Sequence, residues 1–275
     1  MKLSGLIAAP HTPFNPDYSI NLDAVAKQAA HLAENGVCGA FVAGTTGECH
    51  SLTTAERAEL FKVWGTVASQ HGLKFIAHTG HNNLPDAQLL AEAAKESGAD
   101  AYSAMAPNFF KPSDAGALLE WFQFITEPAQ GLPFYFYDIP GFTGVTIDTA
   151  EFVRLAAKQL PGFVGVKYTN PDREQLRSIL AADDAPEMLW GCDEELYDGL
   201  ELGCKGAVGS SYNFAAPIYH RVMEAFQEGN LDEARLWQKR SWKMIETIAA
   251  HGYMHSAKTI MSWIGVDCGP ARPPL

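Results

Sequence analysis

Residues 134–139, Phe134-Tyr135-Phe136-Tyr137-Asp138-Ile139, and residues 163–168, Phe163-Val164-Gly165-Val166-Lys167-Tyr168, are two apolar runs with an amphipathic stretch, Thr149–Leu160, between them. Strand, helix, strand in that order is the βα unit of a parallel sheet. The same alternation extends from this unit to both ends of the chain. Strands are expected at Leu6–Ala9, Gly39–Ala43, Phe75–Thr79, Ala101–Ala106, Phe134–Ile139, Phe163–Tyr168, Met188–Trp190 and Ala207–Gly209. Helices are expected at Leu22–Glu34, Thr54–His71, Leu84–Ser97, Ala115–Ala129 and Thr149–Leu160, with Asn21, Thr53 and Asp148 as N-caps. Eight strands with seven intervening helices close a (β/α)8 TIM barrel, and 275 residues is near the roughly 250 typical of one.

Beyond the eighth strand, Pro217–Glu228, Leu231–His251 and His255–Trp263 read as helices, more than the last barrel position requires. The surplus, from about 231 to 275, is expected to cover a barrel face or a subunit contact. No linker, tandem repeat or composition shift divides the chain, so residues 1–275 read as one catalytic domain. The Gly-Pro-rich ending, Gly269 to Leu275, is too rich in proline for helix.

A net charge of −12 with no basic stripe argues against a nucleic-acid partner, which needs clustered Lys and Arg. Met1 to Pro10 carries one lysine and only a short apolar stretch, so neither a leader peptide nor a membrane span is expected, and the protein is placed in the cytoplasm. Its five cysteines are widely spaced with no C-x-x-C pair, and read as reduced thiols. His78-x-x-His81 and His251-x-x-x-His255 have spacings compatible with metal ligands. No acidic or cysteine set accompanies them and Gly252 interrupts the second, so no metal and no cofactor is expected.

In such a barrel, chemistry gathers where the strands' C-terminal ends meet the βα loops. Four groups of residues fall there: Gly44-Thr45-Thr46-Gly47-Glu48, Tyr137, Lys167 with Thr169, and Gly191-Cys192-Asp193-Glu194. The run before Lys167 carries its stem into an apolar interior, where desolvation favours the neutral, nucleophilic amine. Such an amine attacks a ketone to give a Schiff base, whose protonated nitrogen is an electron sink. Lys167 can alternatively snorkel to solvent or pair with a carboxylate. Tyr137 alone reads as core aromatic, but beside Lys167 on the adjacent strand its phenol can move protons. The Gly44–Glu48 loop combines two glycines and two hydroxyls suited to a carboxylate, and reads equally as a tight turn with a threonine cap. Glu48 is expected to accept backbone hydrogen bonds and stiffen that loop.

Taken together with Tyr137-Asp138-Ile139-Pro140, Gly165-Val166-Lys167-Tyr168-Thr169 and Gly209-Ser210-Ser211-Tyr212-Asn213, these segments resemble the pyruvate-dependent aldolases grouped with dihydrodipicolinate synthase and N-acetylneuraminate lyase. The resemblance runs from Ile7 to Leu275. Within the group, Thr143-Gly144-Val145, Lys167-x-Thr169, Gly191-x-Asp193-Glu194 and the Gly-Pro-rich ending are most similar to the lyase branch. It implies that Lys167 forms the Schiff base and Tyr137 relays protons, and that Thr45 and Thr46 hold a pyruvyl carboxylate. Thr169, Gly191, Asp193, Glu194 and Ser210 would then line the site for the sugar-derived portion. It also implies a reversible cleavage of N-acetylneuraminate to pyruvate and N-acetylmannosamine, and a homotetramer.

Two other readings stand beside it: a related pyruvate aldolase acting on another 2-oxo sugar acid or hydroxy-oxo acid, and a non-catalytic 2-oxo-acid binding protein, which Lys167 and Tyr137 disfavour. The synthase branch carries an arginine in the loop after the tyrosine, where this chain has Gly141-Phe142-Thr143, and Phe142 cannot pair with a second carboxylate. Asp193 and Glu194 would repel such a group or a phosphate, but can accept hydrogen bonds from a polyol. Two positions depart from the family pattern. Asp138 follows the tyrosine, where an acid is expected to alter its proton affinity. Pro107-Asn108-Phe109-Phe110 has no hydroxyl where some members lend a tyrosine to a neighbouring subunit.

Overall fold

The eight apolar runs pair in chain order, each with the next in parallel, and the last returns to the first to close a barrel. The computed structural model describes residues 3–275; Met1 and Lys2, the start of the segment read for a leader, lie outside the described residues. In order the elements are β1 (Gly5–Ala8), α1 (Val25–Glu34), β2 (Gly39–Val42), α2 (Thr54–Gln70), β3 (Lys74–His78), α3 (Leu84–Glu96), β4 (Ala101–Met105) and α4 (Ala115–Thr126). There follow β5 (Phe134–Asp138), α5 (Pro140–Thr143), α6 (Thr149–Gln159), β6 (Phe163–Tyr168), α7 (Arg173–Leu180), β7 (Glu187–Trp190), α8 (Leu196–Leu202) and β8 (Gly206–Gly209). The chain finishes with α9 (Tyr212–Gln227), α10 (Leu231–Ala249) and α11 (Tyr253–Trp263). The fold is a (β/α)8 TIM barrel with additional C-terminal helices.

Side chains alternate along each strand, so the sheet makes two cores. Leu3, Ile7, Phe41, Ile76, Tyr135, Leu189 and Val208 fill the barrel. The opposite strand faces meet the helices in a larger cluster that includes Phe122, Phe134, Phe136 and Phe152, whose rings stand 4.9–5.7 Å apart in several of their pairs. At the lower end the Tyr135 hydroxyl donates to Glu187 at 3.0 Å, and Glu187 also accepts the Leu3 amide, which satisfies polar groups in the closed floor. Chemistry is left to the other end.

Two expected caps form. Thr53 accepts from the Glu56 amide and Glu56 returns the bond, a capping box, while Asp148 accepts from the Glu151 amide. Asn21 makes no side-chain cap: a 3-10 turn over Leu22–Ala24 intervenes before α1. The helix expected from Pro217 begins instead at Tyr212, with Pro217 inside it and a kink at Ala215 (φ −132°, ψ 19°). The short α5, directly after the tyrosine strand, was not anticipated.

Candidate active site

Neighbouring strands in register present matched positions to the same face. Tyr137 on β5 is in register with Lys167 on β6, and Met105 on β4 with Tyr137. Lys167 therefore stands inside the barrel, its Nζ 3.8 Å from the Tyr137 ring centroid and 4.3 Å from that of Phe41 on β2. The residue is 4% exposed. Removing an ammonium from water favours loss of its proton. Burial lowers the Lys167 pKa to about 7 against the opposing attraction of the Asp193 carboxylate, so about half of the amine is neutral at pH 7. Cys49 and Cys192 also border it, but burial holds both thiols above their ordinary value, Cys192 up to about 12. The nucleophile available at neutral pH is the lysine.

The Tyr137 hydroxyl lies 3.3 Å from Thr45 Oγ1. Burial raises its pKa, with the hydroxyls of Thr45 and Thr169 opposing, so the phenol holds its proton at neutral pH. The amine stands over the ring face while the hydroxyl meets Thr45, which separates the amine from the phenol hydroxyl across one aromatic ring.

Thr45 and Thr46 sit half-buried in the turn after β2, which is closed by Glu48 N–H to Thr45 O at 3.0 Å and Cys49 N–H to Gly44 O at 3.2 Å. A Cβ at Gly47 would come within 2.9 Å of Ala43 Cα, so the turn requires glycine there. The Thr46 and Gly47 amides donate to no other protein group among the described residues. With the two hydroxyls they form a donor set suited to a carboxylate.

The remaining expected residues follow β6, β7 and β8. Thr169 follows β6 and its Oγ1 donates to Gly191 O at 3.4 Å, while Gly191 N–H donates to Tyr168 O at 2.8 Å. A Cβ at Gly191 would fall 1.9 Å from Thr169 Oγ1 and 2.8 Å from Tyr168 O, which excludes any side chain. Asp193 is buried, and its Oδ2 accepts from the Ser211 amide at 2.7 Å, the Ser211 hydroxyl, and Ser210 Oγ at 3.4 Å. One carboxylate oxygen is thus committed to the protein, which leaves fewer acceptors for a ligand than its sequence position implies. Glu194 is half-buried, and burial, then Asp193 and Glu195, raise its pKa.

Tyr253, at the start of α11, was not among the expected residues. Its hydroxyl is 2.6 Å from Ser210 Oγ, and burial and Asp193 raise its pKa. No local pattern marks a tyrosine that reaches the site from beyond the barrel.

Asp138 does not act on Tyr137 as expected. Alternation puts it on the opposite face of β5, where Oδ2 accepts from Thr149 Oγ1 at 2.8 Å and Asn170 Nδ2 at 2.9 Å. The phenol it perturbs is Tyr168. Phe142 lies in α5, 73% exposed, and lines a cleft with Thr45, Met105 and Asn108. Phe109 and Phe110 form an exposed edge-to-face pair, centroids 5.0 Å apart. Of the histidine spacings, His78 directs Nδ1 to Ala43 O at 3.0 Å and packs its ring edge-on to Tyr137, while His81 stands 3.8 Å from Asp86. No group of three or more His, Cys, Asp or Glu able to hold a metal occurs among the described residues.

The sequence matches the model of the dihydrodipicolinate synthetase family over residues 2–275. The chain belongs to this family. Among its relatives, the N-acetylneuraminate lyase of Danio rerio is 37% identical over 283 residues, spanning all of this chain and 91% of that protein. The solved N-acetylneuraminate lyase of Proteus mirabilis superposes with a TM-score of 0.96 at 36% identity, over 100% of this chain and 93% of that one. A dihydrodipicolinate synthase from Bacillus anthracis gives 0.92 at 27% identity, over 100% and 93%. The lyases and a synthase of the family share the barrel at nearly full length, so the fold does not distinguish their substrates.

Proposed function

We propose that the chain is a class I pyruvate aldolase that reversibly cleaves N-acetylneuraminate to pyruvate and N-acetylmannosamine. The observation that carries this reading is Lys167: an amine buried among aromatic rings, with a pKa of about 7, at the end of a barrel strand beside a protonated tyrosine. Family membership and relatives named N-acetylneuraminate lyase support the substrate.

In this reading the open-chain 2-oxo acid sets its carboxylate on the Thr45–Gly47 donors, and the neutral Lys167 amine adds to C2. Loss of water from the carbinolamine gives a protonated imine. Removal of the C4 hydroxyl proton then breaks the C3–C4 bond, whose electron pair moves through C2 onto the nitrogen as an enamine. The aldehyde departs, C3 is protonated, and water releases pyruvate and the free lysine. Tyr137, held at Thr45, is the proton carrier nearest the carboxylate end. Thr169, Gly191, Asp193, Glu194 and Ser210 line the space for the polyol, and the exposed Phe142 supplies no cation for a second carboxylate.

Residues 1–275 act in this reading as one catalytic domain, with the extension from about 231 contributing Tyr253 to the site. The exposed Phe109, Phe110 and Trp263 support burial in a closed homo-oligomer, which we take to be a tetramer. Five free cysteines support a cytoplasmic location, and no described helix is long and apolar enough to cross a membrane.

The test is pyruvate release across sialic acids and shorter deoxy-oxo sugar acids, alongside aspartate-semialdehyde condensation, each with borohydride trapping and peptide mass spectrometry. The expected result is highest kcat/KM for N-acetylneuraminate and an adduct on Lys167. A better competitor overturns the substrate, and an adduct on a different lysine overturns the mechanism.

A further inference from the structure

The turn that offers donors to the carboxylate is bracketed by two residues in the left-handed region, Ala43 (φ 53°) and Glu48 (φ 57°). Neither is glycine, and a Cβ makes that conformation costly. Such backbone persists only where the surroundings fix it.

At the first end, Ala43 O accepts from His78 Nδ1 at 3.0 Å, and the fully buried Arg57 donates to His78 O and to Gly80 O, the latter at 3.0 Å. The second end is held from the far side of the chain. Glu48 Oε1 pairs with Lys258 Nζ at 2.7 Å, the side chains 0% and 2% exposed, and Glu48 Oε2 accepts the Arg272 amide at 2.8 Å. Lys258 also donates to Thr12 O at 2.9 Å and Pro270 O at 2.7 Å, and the Thr12 hydroxyl donates to Gly47 O at 2.6 Å. Arg272 in turn grips Glu56 of α2 at 2.8 and 3.0 Å.

We propose that Lys258, on the helix added after the barrel, is a positioning residue for 2-oxo-acid binding. By anchoring Glu48 it keeps the Thr45–Gly47 turn aimed at the substrate carboxylate. This rests on the reading that the turn binds that carboxylate. A buried ion pair is weak evidence for stability, since apolar replacement of both partners is often neutral, but it fixes one geometry where the backbone is strained. Lys258 itself touches neither Lys167 nor Tyr137; its effect passes through Glu48 and Gly47.

The experiment compares the native chain with Lys258→Met, Glu48→Asn and the double variant Glu48→Gln/Lys258→Met. Pyruvate concentration is varied in borohydride trapping on Lys167 and in the condensation assay, with thermal midpoints recorded. Asparagine tolerates the left-handed region, so Glu48→Asn removes the anchor without adding strain. The double variant leaves no unpaired buried charge, so it folds if Lys258→Met does not.

We expect half-saturating pyruvate to rise about 10- to 100-fold in Lys258→Met and Glu48→Asn, the scale of a small misplacement made away from the chemistry. The kcat at saturating pyruvate should fall by less than about threefold, because the lysine and tyrosine are untouched. The double variant should regain the thermal midpoint and keep the raised pyruvate requirement. If the double variant regains both, or if the single variants lose thermal stability with pyruvate half-saturation within about twofold of native, the pair is only a fold device and the proposal fails. If the native chain forms no adduct on Lys167, the parent reading fails instead.

Discussion

Replacing Lys167 with Met should make the protein more stable, and the gain should depend on pH. The ordinary lysine value of 10.5 drops to about 7 on burial, a span that at about 1.36 kcal/mol per pH unit amounts to about 5 kcal/mol. The sign follows from proton binding. Between pH 7 and 10.5 the unfolded chain holds a proton on this lysine that the folded chain has released, so stability rises with pH across that window. Below pH 7 both states are protonated and the full cost of the buried ammonium remains; above 10.5 both are neutral and it is gone. Methionine keeps the stem's volume and carries no charge at any pH. Its advantage should therefore be largest near pH 6.5 and shrink by about 3 kcal/mol by pH 9.5, or about 6–12 °C in the thermal midpoint.

The attraction of Asp193 for the ammonium is already contained in the net value of about 7, so it adds no separate offset. In the variant the Asp193 carboxylate keeps the donors of Ser210 and Ser211. The assay is differential scanning of both proteins in matched low-salt buffers from pH 6 to 10. A gap between them that does not change with pH, or that widens as pH rises, would falsify the claim that the folded protein depresses this amine. Kinetics gives an independent measure. The rate of borohydride-trappable imine formation should rise through pH 7 and level off by about pH 8, because the neutral amine is the attacking form. A rate still climbing beyond pH 9 would mean an ordinary surface-like lysine.

Tyr137→Phe should slow turnover by roughly 100- to 10,000-fold while leaving the pyruvate concentration for half-maximal trapping within a fewfold, since only the proton carrier is lost; steady-state and trapping assays in parallel decide it. Glu194→Ala should raise KM for the long sugar acid while sparing imine formation with pyruvate, which does not extend to that wall; an equal loss for both substrates would argue against a polyol contact. Gly191→Ala should disrupt the wall between β6 and β7, with a loss of about 1–3 kcal/mol in stability by urea titration, because the added methyl overlaps Thr169 Oγ1. Light scattering at working concentration should give a closed oligomer, with a tetramer as the expected mass, and Phe109→Asp/Phe110→Asp should lower it.

The barrel was legible because burial and pairing coincide along most of each strand. Where they part, the apolar runs are offset C-terminally from the hydrogen-bonded strands. Strands expected to end at Ala9, Ala43, Thr79, Ala106 and Ile139 each stop one residue earlier, because a residue stays buried after the ladder ends, apolar in four of them and the threonine in the fifth. Ala43 shows why: its φ of 53° has already turned the chain out of the sheet. At the other end, strands begin earlier than expected at Gly5, Lys74, Glu187 and Gly206, where polarity or a missing side chain hid residues that still pair. Hydrophobic pattern reports what is covered; backbone hydrogen bonds follow geometry that composition does not encode.

The site divides along the same line. Lys167, Tyr137, Thr45 and Thr46 could be placed because strand ends and βα turns fix them locally, and the register of β5 with β6 brings the first two together. Asp138 adjoins Tyr137 in sequence, but strand alternation alone puts it on the opposite face, where it meets Thr149 and Asn170. Tyr253 and Lys258 could not be found that way. Each reaches the barrel mouth from α11, a helix whose seating depends on how α9 and α10 pack and on where the tail returns past Glu48 and Glu56. The helices that looked surplus to the barrel bring the Tyr253 hydroxyl to Ser210 and the Lys258 ammonium to Glu48. In the proposed reading the barrel strands supply the reactive groups, and the segment after them fixes the turn and wall those groups work against. Substitutions in α11 should accordingly shift substrate affinity before they touch the rate of bond cleavage.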